Sequence, residues 1–375
     1  MAYSDIKDPS AHFHTQIWTG AGGSPRAITN DANSGNFQPD FVWTKGRNEA
    51  YEHQLYDSSR GTGTTKGLDS GSTAAEGIVS ATYGYLSSFD SNGFTGTAGT
   101  SGQNAYFDTN AKTYAAWQWK ANGGTTTSVS ASGTGANCIN ASTHQVNQDA
   151  GFSIITYTGR ADQITVHQQT NLTHGLGVAP DLTIMKKRDA TGSWVVMGKH
   201  VTTSSAYSAN EHLRLDTSDA VSAAEYTGYV APTSTYIYLG DALVNDTDND
   251  YVCYAFAEKQ GYSKFGKYTG NGSADGPFIY TGFKPAFIIV KKSSGTGNWL
   301  MYDNKRGAFN LNDEYFYANS NAGESTSSTS GYDFLSSGFK TRNTYNDGNV
   351  SGQTYIYIAF AENPFVAGGI PTTAR

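Results

Sequence analysis

Three stretches of this chain repeat one another, and that repetition constrains the fold more than any single motif does, because a unit copied in tandem is one structural solution used several times. An aromatic residue followed by Thr-Gly occurs as Trp18-Thr19-Gly20, Tyr157-Thr158-Gly159 and Tyr268-Thr269-Gly270. Each reads as a strand running into a turn. A proline then opens a second strand, Pro39 to Lys45, Pro180 to Lys186 and Pro285 to Lys291, with a lysine six residues after each proline. Proline lacks a backbone donor and is tolerated at a strand's first residue. Alternation places Phe41, Trp43 and Lys45 on one face, and the lysine is expected where that face reaches water. Further on, Leu55-Tyr56-Asp57-Ser58-Ser59-Arg60-Gly61 matches Met301-Tyr302-Asp303-Asn304-Lys305-Arg306-Gly307, while the second stretch keeps only the strand Trp194 to Met197. Phe89-Asp90-Ser91-Asn92-Gly93-Phe94 likewise matches Phe334-Leu335-Ser336-Ser337-Gly338-Phe339 as a hairpin turn. An aromatic strand closes each copy, beginning near Tyr114, Tyr251 and Tyr355.

Short strands, turns rich in Gly, Ser, Thr and Asn, and no sustained helical period predict an all-β chain of three tandem antiparallel β-sandwich repeats of jelly-roll or lectin-like type. The expected layout is an N-terminal arm over 1–11, sandwiches over 12–121, 150–259 and 260–365, a linker or strand insertion over 122–149, and a C-terminal tail over 366–375. The sandwiches are expected in a row. The length of 375 residues suits two or three domains at roughly 150 residues each. Lys plus Arg is 25 against 32 Asp plus Glu, and the net charge of −7 argues against nucleic acid or anionic lipid as partner. The apolar runs are strand-length, so no membrane insertion is expected. Met1 to Pro9 lacks the basic and apolar regions of a secretory signal. With only Cys138 and Cys253 there is no disulfide framework, and Cys253 sits in a buried-looking alternating run.

Taken together, the proline-led strand ending in Lys, the Tyr-Asp-x-x-Arg-Gly element, the Phe-x-Ser-x-Gly-Phe turn and the closing Trp-x-Trp-Lys or Ala-Phe-Ala-Glu strand resemble a repeat of tail-fibre-like virion proteins of marine phages, cyanophages above all. The ending Gly369-Ile370-Pro371-Thr372-Thr373-Ala374-Arg375 is similar to theirs as well. The resemblance runs from about His12 onward. It implies a structural virion protein, a tail fibre or appendage, made in the host cytoplasm and assembled on the phage particle beside other virion proteins. It also implies host-surface glycan attachment without catalysis, and by analogy a homo-oligomer, with a trimer favoured. One departure opens an alternative: typical fibres carry a separate attachment domain and shaft, whereas the first repeat here starts after about eleven residues. A capsid decoration or head-fibre protein fits that departure. A polysaccharide depolymerase is a further alternative, since two carboxylates some 5–10 Å apart can arise across a fold without leaving a motif.

Among motif-readable chemistries, no Gly-x-Ser-x-Gly elbow, Walker loop, His-Glu-x-x-His or Cys-x-x-Cys occurs, and no enzyme is expected. Gly270 to Gly276 reads as a structural turn rather than a dinucleotide loop. Asp246, Asp248 and Asp250 alternate in an acidic run that reads first as a solvated hairpin and second as a Ca²⁺ site, the one cofactor considered. His12 and His14, at i and i+2, face one way in a strand and are candidate ligands for a metal on a threefold axis. Aromatic platforms are the leading candidates for glycan binding, because sugar rings pack their C–H faces on Tyr or Trp. Trp194 and Trp299 stand at equivalent places and are assigned to the core. Aromatics private to one copy are the candidate ligand-binding residues: Tyr83 and Tyr85, Tyr226 and Tyr229, and Tyr315, Phe316 and Tyr317. The Arg60 and Arg306 turns are read as structural, with Arg bonding a carboxylate or carbonyls.

Overall fold

The computed structural model describes residues 5–31, 36–77, 80–130, 139, 141–160, 170–201, 211–223, 230–240, 242–363, 366–367 and 370–371. Its regular structure is all-β apart from single-turn helices, and every paired strand is antiparallel. Among the described residues no helix is long and apolar enough to cross a membrane.

Three large sheets carry the same strand order. In the first, the opening strand Phe13–Thr19 lies beside the closing strand Thr113–Trp119, which lies beside the proline-led Phe41–Gly46 and then Gln54–Asp57. The third runs Ser263–Thr269, Thr354–Phe360, Phe287–Lys292, Trp299–Asp303, and continues through Glu314–Tyr317 to Ser325–Thr326. At the heart of the second are Phe152–Thr158, Asp250–Phe256, Leu182–Lys187 and Val195–Gly198. Since the prolines cannot donate, the residue after each makes the contact instead: the N–H groups of Asp40, Asp181 and Ala286 donate to Trp119, Phe256 and Phe360 of the closing strands. Within 122–149 lie two further strands, Thr127–Ser130 and Ala141–Asn147, which extend the second sheet. Gln145 pins this extension to the first segment by donating to Ser58 and Ser59 and accepting from the N–H of Asn122 and Gly124.

Each large sheet is packed on both faces. A small sheet covers the outer one: Arg26–Thr29 with Gly93–Thr97 and Tyr85–Asp90; Thr170–Thr173 with Tyr236–Leu239; Phe278–Tyr280 with Gly338–Thr341 and Tyr332–Leu335. Separate clusters fill these three interiors, around Phe94 and Tyr56, Ile155 and Leu239, and Tyr302 and Phe339. The inner faces meet in one shared core that holds Phe13, Phe41 and Trp117 from the first sheet, Phe152, Trp194 and Tyr254 from the second, and Phe287, Trp299 and Phe360 from the third. Rings touch across the boundaries, Phe41 on Tyr254 at 4.3 Å, Phe13 on Phe360 at 5.5 Å and Phe256 on Phe360 at 5.8 Å between centroids. The row of independent sandwiches expected from the sequence is therefore replaced by three sheets around a common interior. The physical reason is that the proline-led strands carry apolar side chains on both faces up to their terminal lysines and are buried on both sides. Each buried aromatic contributes about 1.5–3 kcal/mol.

The lysines correct a second expectation. Lys45, Lys186 and Lys291 do not reach water and are at most 1% exposed. Each lies where the inner face of its strand meets a neighbouring sheet, and donates to a loop carbonyl there: Lys45 to Asn321, Lys186 to Thr73 and Lys291 to Ser218, at 3.0–3.1 Å. Burial pushes all three ammonium pKa values down to about 8. Fourteen residues after each proline stands a second fastener. Trp194 Nε1 donates to the Asp69 carbonyl and Trp299 Nε1 to that of Arg214, and His53 Nε2 bonds the Tyr317 carbonyl.

Candidate functional site

The strand Phe278–Tyr280 edges the third small sheet, and its alternation sends Ile279 into the interior and Phe278 and Tyr280 outward. Their exposures are 46% and 68%, unusual for large rings in a body whose other aromatics are mostly buried. Residues two apart on a strand are about 7 Å apart, so the rings form one short aromatic face. Across the pairing, Phe278 sits opposite Lys340 and Tyr280 opposite Gly338, with Leu335 opposite Gly338 on the far side. Gly338 keeps that face low: a β-carbon there would lie 3.0 Å from Phe278 Cζ, so the ring leans over bare backbone.

Charged groups border the rings. Lys340 Nζ is 2.8 Å from Asp275 Oδ1, and Arg342 Nε is 3.2 Å from Asp333 Oδ2. The Lys340 hydrogen bond and charge hold the Asp275 carboxyl below the usual carboxylate range. Two bases and two acids thus offer paired donors and acceptors with no net charge. The flanks of the inward residue in the other small sheets are Ala27 and Thr29 around Ile28, and Asn171 and Thr173 around Leu172, so the aromatic pair belongs to the third sheet system. Phe309, 85% exposed, sits in the loop that Asn310 clips to Phe334 on the opposite edge of this sheet.

The residues singled out from the sequence are dispersed. Tyr83 is exposed and meets Tyr106 edge-on, while Tyr85 is half-buried against the first small-sheet interior. Tyr226 and Tyr229 lie outside the described residues. Phe316 corrects its assignment: it is buried in the shared core with the Arg306 guanidinium 4.3 Å over its ring, so it offers no surface to a sugar. Its neighbours point the other way, Tyr315 buried and Tyr317 half-buried with its hydroxyl 2.8 Å from that of Tyr345. Burial, then the Tyr315 and Tyr345 hydroxyls, raise the Tyr317 pKa.

The candidate metal ligands have separate partners. Asp246 takes Lys187 Nζ at 2.8 Å, Asp250 accepts from the Thr158 hydroxyl at 2.8 Å, and Asp248 occupies a turn at φ +62°. His12 lies just ahead of its strand and bonds Asn147 through Nδ1, whereas His14 is held between Glu362 at 2.9 Å and Asp31 at 2.8 Å. Among the described residues no three His, Cys, Asp or Glu side chains gather as a metal-holding group. Phe278 and Tyr280 were missed in the sequence because they sit in a three-residue strand. The available signal was their alternation about Ile279 directly after Pro277.

No curated protein and no solved structure matches the chain. A family model described as a domain of unknown function, DUF7483, matches residues 8–364, a span that takes in all three sheets and the exposed face, and the chain belongs to that family.

Proposed function

We propose that this protein is a non-enzymatic phage virion protein, three tandem sandwiches of jelly-roll or lectin-like type closed around a shared core, which serves as a tail-fibre or appendage element and holds host-surface glycan on the Phe278 and Tyr280 face. The virion assignment is supported by the resemblance of the repeated elements to tail-fibre-like phage proteins. The glycan assignment rests on one observation: two rings private to the third sheet system stand exposed on one face, bordered by paired acids and bases. Rings of this kind pack against sugar C–H faces while the charged groups bond hydroxyls. Each contact is weak, and several copies on one particle add through effective concentration.

The test is binding of the whole protein to purified host-envelope polysaccharide. The variant Phe278→Ala/Tyr280→Ala is expected to bind at least about tenfold more weakly, since 1.4 kcal/mol is a factor of ten. Both side chains are exposed, so the fold is retained. Undiminished binding removes the glycan assignment. A capsid decoration protein is the second reading, favoured by closure of three sheets into one body within a single chain. That closure also means the shared core needs no second subunit to be buried. Density for the protein on capsomers rather than on the tail of the particle decides for the second reading.

A further inference from the structure

The three seams where the closing strand of one sheet approaches the opening strand of another are filled differently. At the seam of the second and third sheets, Glu258 Oε2 takes Lys264 Nζ at 2.6 Å and its other oxygen accepts from the Phe265 N–H at 2.9 Å. Where the third meets the first, Glu362 lies 2.9 Å from His14 Nδ1. Each acid stands four residues beyond the inward side chain of its closing strand, Tyr254 or Ile358. Four residues beyond Trp117 stands Ala121, and in the opening strand that it approaches the corresponding residue is Ser153, whose hydroxyl bonds the His174 carbonyl. With neither acid nor base in place, an open cleft of about 580 Å³ remains, walled on one side by the added strand Ala141–Asn147. That volume falls in the ~300–1,000 Å³ range of small-ligand sites.

Among the described lining residues Lys120 is the cation and Asp149 the carboxylate, while burial lowers the pKa of the imidazoles of His12 and His144, so that they offer neutral N–H donors. Among the described residues Lys120 Nζ makes no ion pair, and His144 Nδ1 is a buried atom without a hydrogen-bond partner. At His12 burial is the larger cause, Lys120 adds to the lowering, and Asp149 and Asp8 oppose it. Asn122, Thr127 and Gln148 add amide and hydroxyl groups, and among the described residues no Phe, Tyr or Trp lines the walls. An ammonium without an ion-pair partner, standing where the other seams carry an acid and ringed by neutral N–H donors and hydroxyl-bonding side chains, suits a ligand that brings its own carboxylate and several hydroxyls.

We infer that this cleft is a binding subsite for an acidic saccharide unit, its carboxylate directed at Lys120 and the imidazoles and its hydroxyls at Asn122, Gln148 and Asp149. The inference deepens the glycan reading above and rests on it, but it uses a different surface from the Phe278 and Tyr280 face. Titration of the full chain with digalacturonate and with its neutral dimethyl ester, followed by calorimetry, separates charge from hydroxyl recognition. Digalacturonate is expected to bind at least about tenfold more tightly than the ester. Ala121→Glu, which restores the acid of the other seams, and Lys120→Ala are each expected to remove that preference. Phe278→Ala/Tyr280→Ala is expected to leave it unchanged, so failure of the aromatic face and failure of the cleft are told apart. Equal binding of acid and ester, no binding of either at millimolar concentration, or a preference that survives Lys120→Ala overturns the inference.

Discussion

Two of the boundaries between large sheets hold a buried guanidinium network at a place where the third has no charged side chain, although the backbone contact at all three is the same. Between the first and second sheets, Arg60 pairs with Asp57 and reaches Glu76, Glu76 takes Arg188 at 2.6 Å, and the Tyr254 hydroxyl donates to Asp57 at 2.8 Å. Between the third and first, Arg306 pairs with Asp303 at 2.5 Å and with Glu324 at 3.1 Å, Glu324 takes Arg47 at 2.7 Å, and Trp117 Nε1 donates to Asp303 at 3.1 Å. At the boundary of second and third sheets the corresponding residues are Gly198, Val201, Val221, Ser293 and Ile358. The N–H of Glu76, Glu324 and Val221 nonetheless donates to Arg188, Arg47 and Ser293 respectively in the same way. Five positions have changed as a set. A buried guanidinium is tolerated only when its whole complement of partners is present, because an unpaired charge in the interior costs more than the pair returns. Burial works against the charge on Arg60, yet Asp57 and Glu76 raise its pKa overall.

The comparison breaks most severely if charge is placed in the apolar boundary. Val201→Arg buries a cation opposite Gly198 and Val221, and is expected to lower unfolding stability by more than about 4 kcal/mol, read from the urea midpoint. Supplying the acid does not rescue it, because a β-carbon at Gly198 would lie 2.5 Å from the Asp181 carbonyl oxygen. The backbone itself excludes the network there. Stability within about 1 kcal/mol of the parent would show that this place accepts a guanidinium without its network.

The charged boundaries are expected to give way in stages. Asp57→Ala takes from the buried Arg60 and Tyr254 the carboxylate they share and is expected to cost about 3–5 kcal/mol. Replacing the set together, Asp57→Gly, Arg60→Val, Glu76→Val and Arg188→Ser with Tyr254→Phe to keep the ring, is expected to cost less than that single change, since side chains in one network are not additive. Denaturant midpoints of the two proteins decide the matter. A fivefold variant less stable than Asp57→Ala would mean that the pairs contribute as independent bonds.

Much of the sheet architecture was legible because it is written in periodicity and turn chemistry. The prolines, the closing aromatic strands and the Gly93 turn at φ +122° appear where alternation and backbone freedom place them, whereas Gly338 is required by the close approach of the Ile279 carbonyl. Contacts between sheets were not legible. Lys45 looked like a water marker because lysine rarely ends an inward face unless carbonyls are waiting there, and the one that a neighbouring sheet's loop supplies belongs to Asn321, 276 positions away. Val201, Val221 and Ile358 stood in the sequence at the places of Arg, Glu and Tyr or Trp, but their common meaning depends on knowing which sheets touch. For the candidate site, choosing private aromatics was sound as a rule. Three consecutive aromatics at 315–317 drew attention where alternation guarantees that at least one turns inward, while the shorter Phe278 and Tyr280 pair has both rings outside.

The smallest asymmetry concerns His53, which occupies the place of Trp194 and Trp299. Four residues into the proline-led strand the first sheet has Trp43 where the others have Ile184 and Ile289, so ring and aliphatic volume have been exchanged between two neighbouring positions. Trp43 Nε1 donates to His53 Nδ1 at 2.9 Å, and the other ring nitrogen bonds the Tyr317 carbonyl. Burial, helped by Lys45, pushes the imidazole pKa down to about 3. Below its ordinary value of 6.5 the unfolded chain binds a proton that the folded chain refuses until about pH 3. The neutral ring therefore contributes its full stability above pH 6.5 and loses it progressively as pH falls, at up to about 1.4 kcal/mol per pH unit. Nearby Asp69, raised to about 6 by burial, works in the opposite direction and is present in both proteins to be compared. Trp43→Ile/His53→Trp gives the first sheet the arrangement of the other two and removes the imidazole. Between pH 7 and pH 5 the parent is expected to lose about 2 kcal/mol relative to this variant in urea unfolding. A difference that stays constant over that interval would mean that His53 is not held neutral by the boundary it fastens.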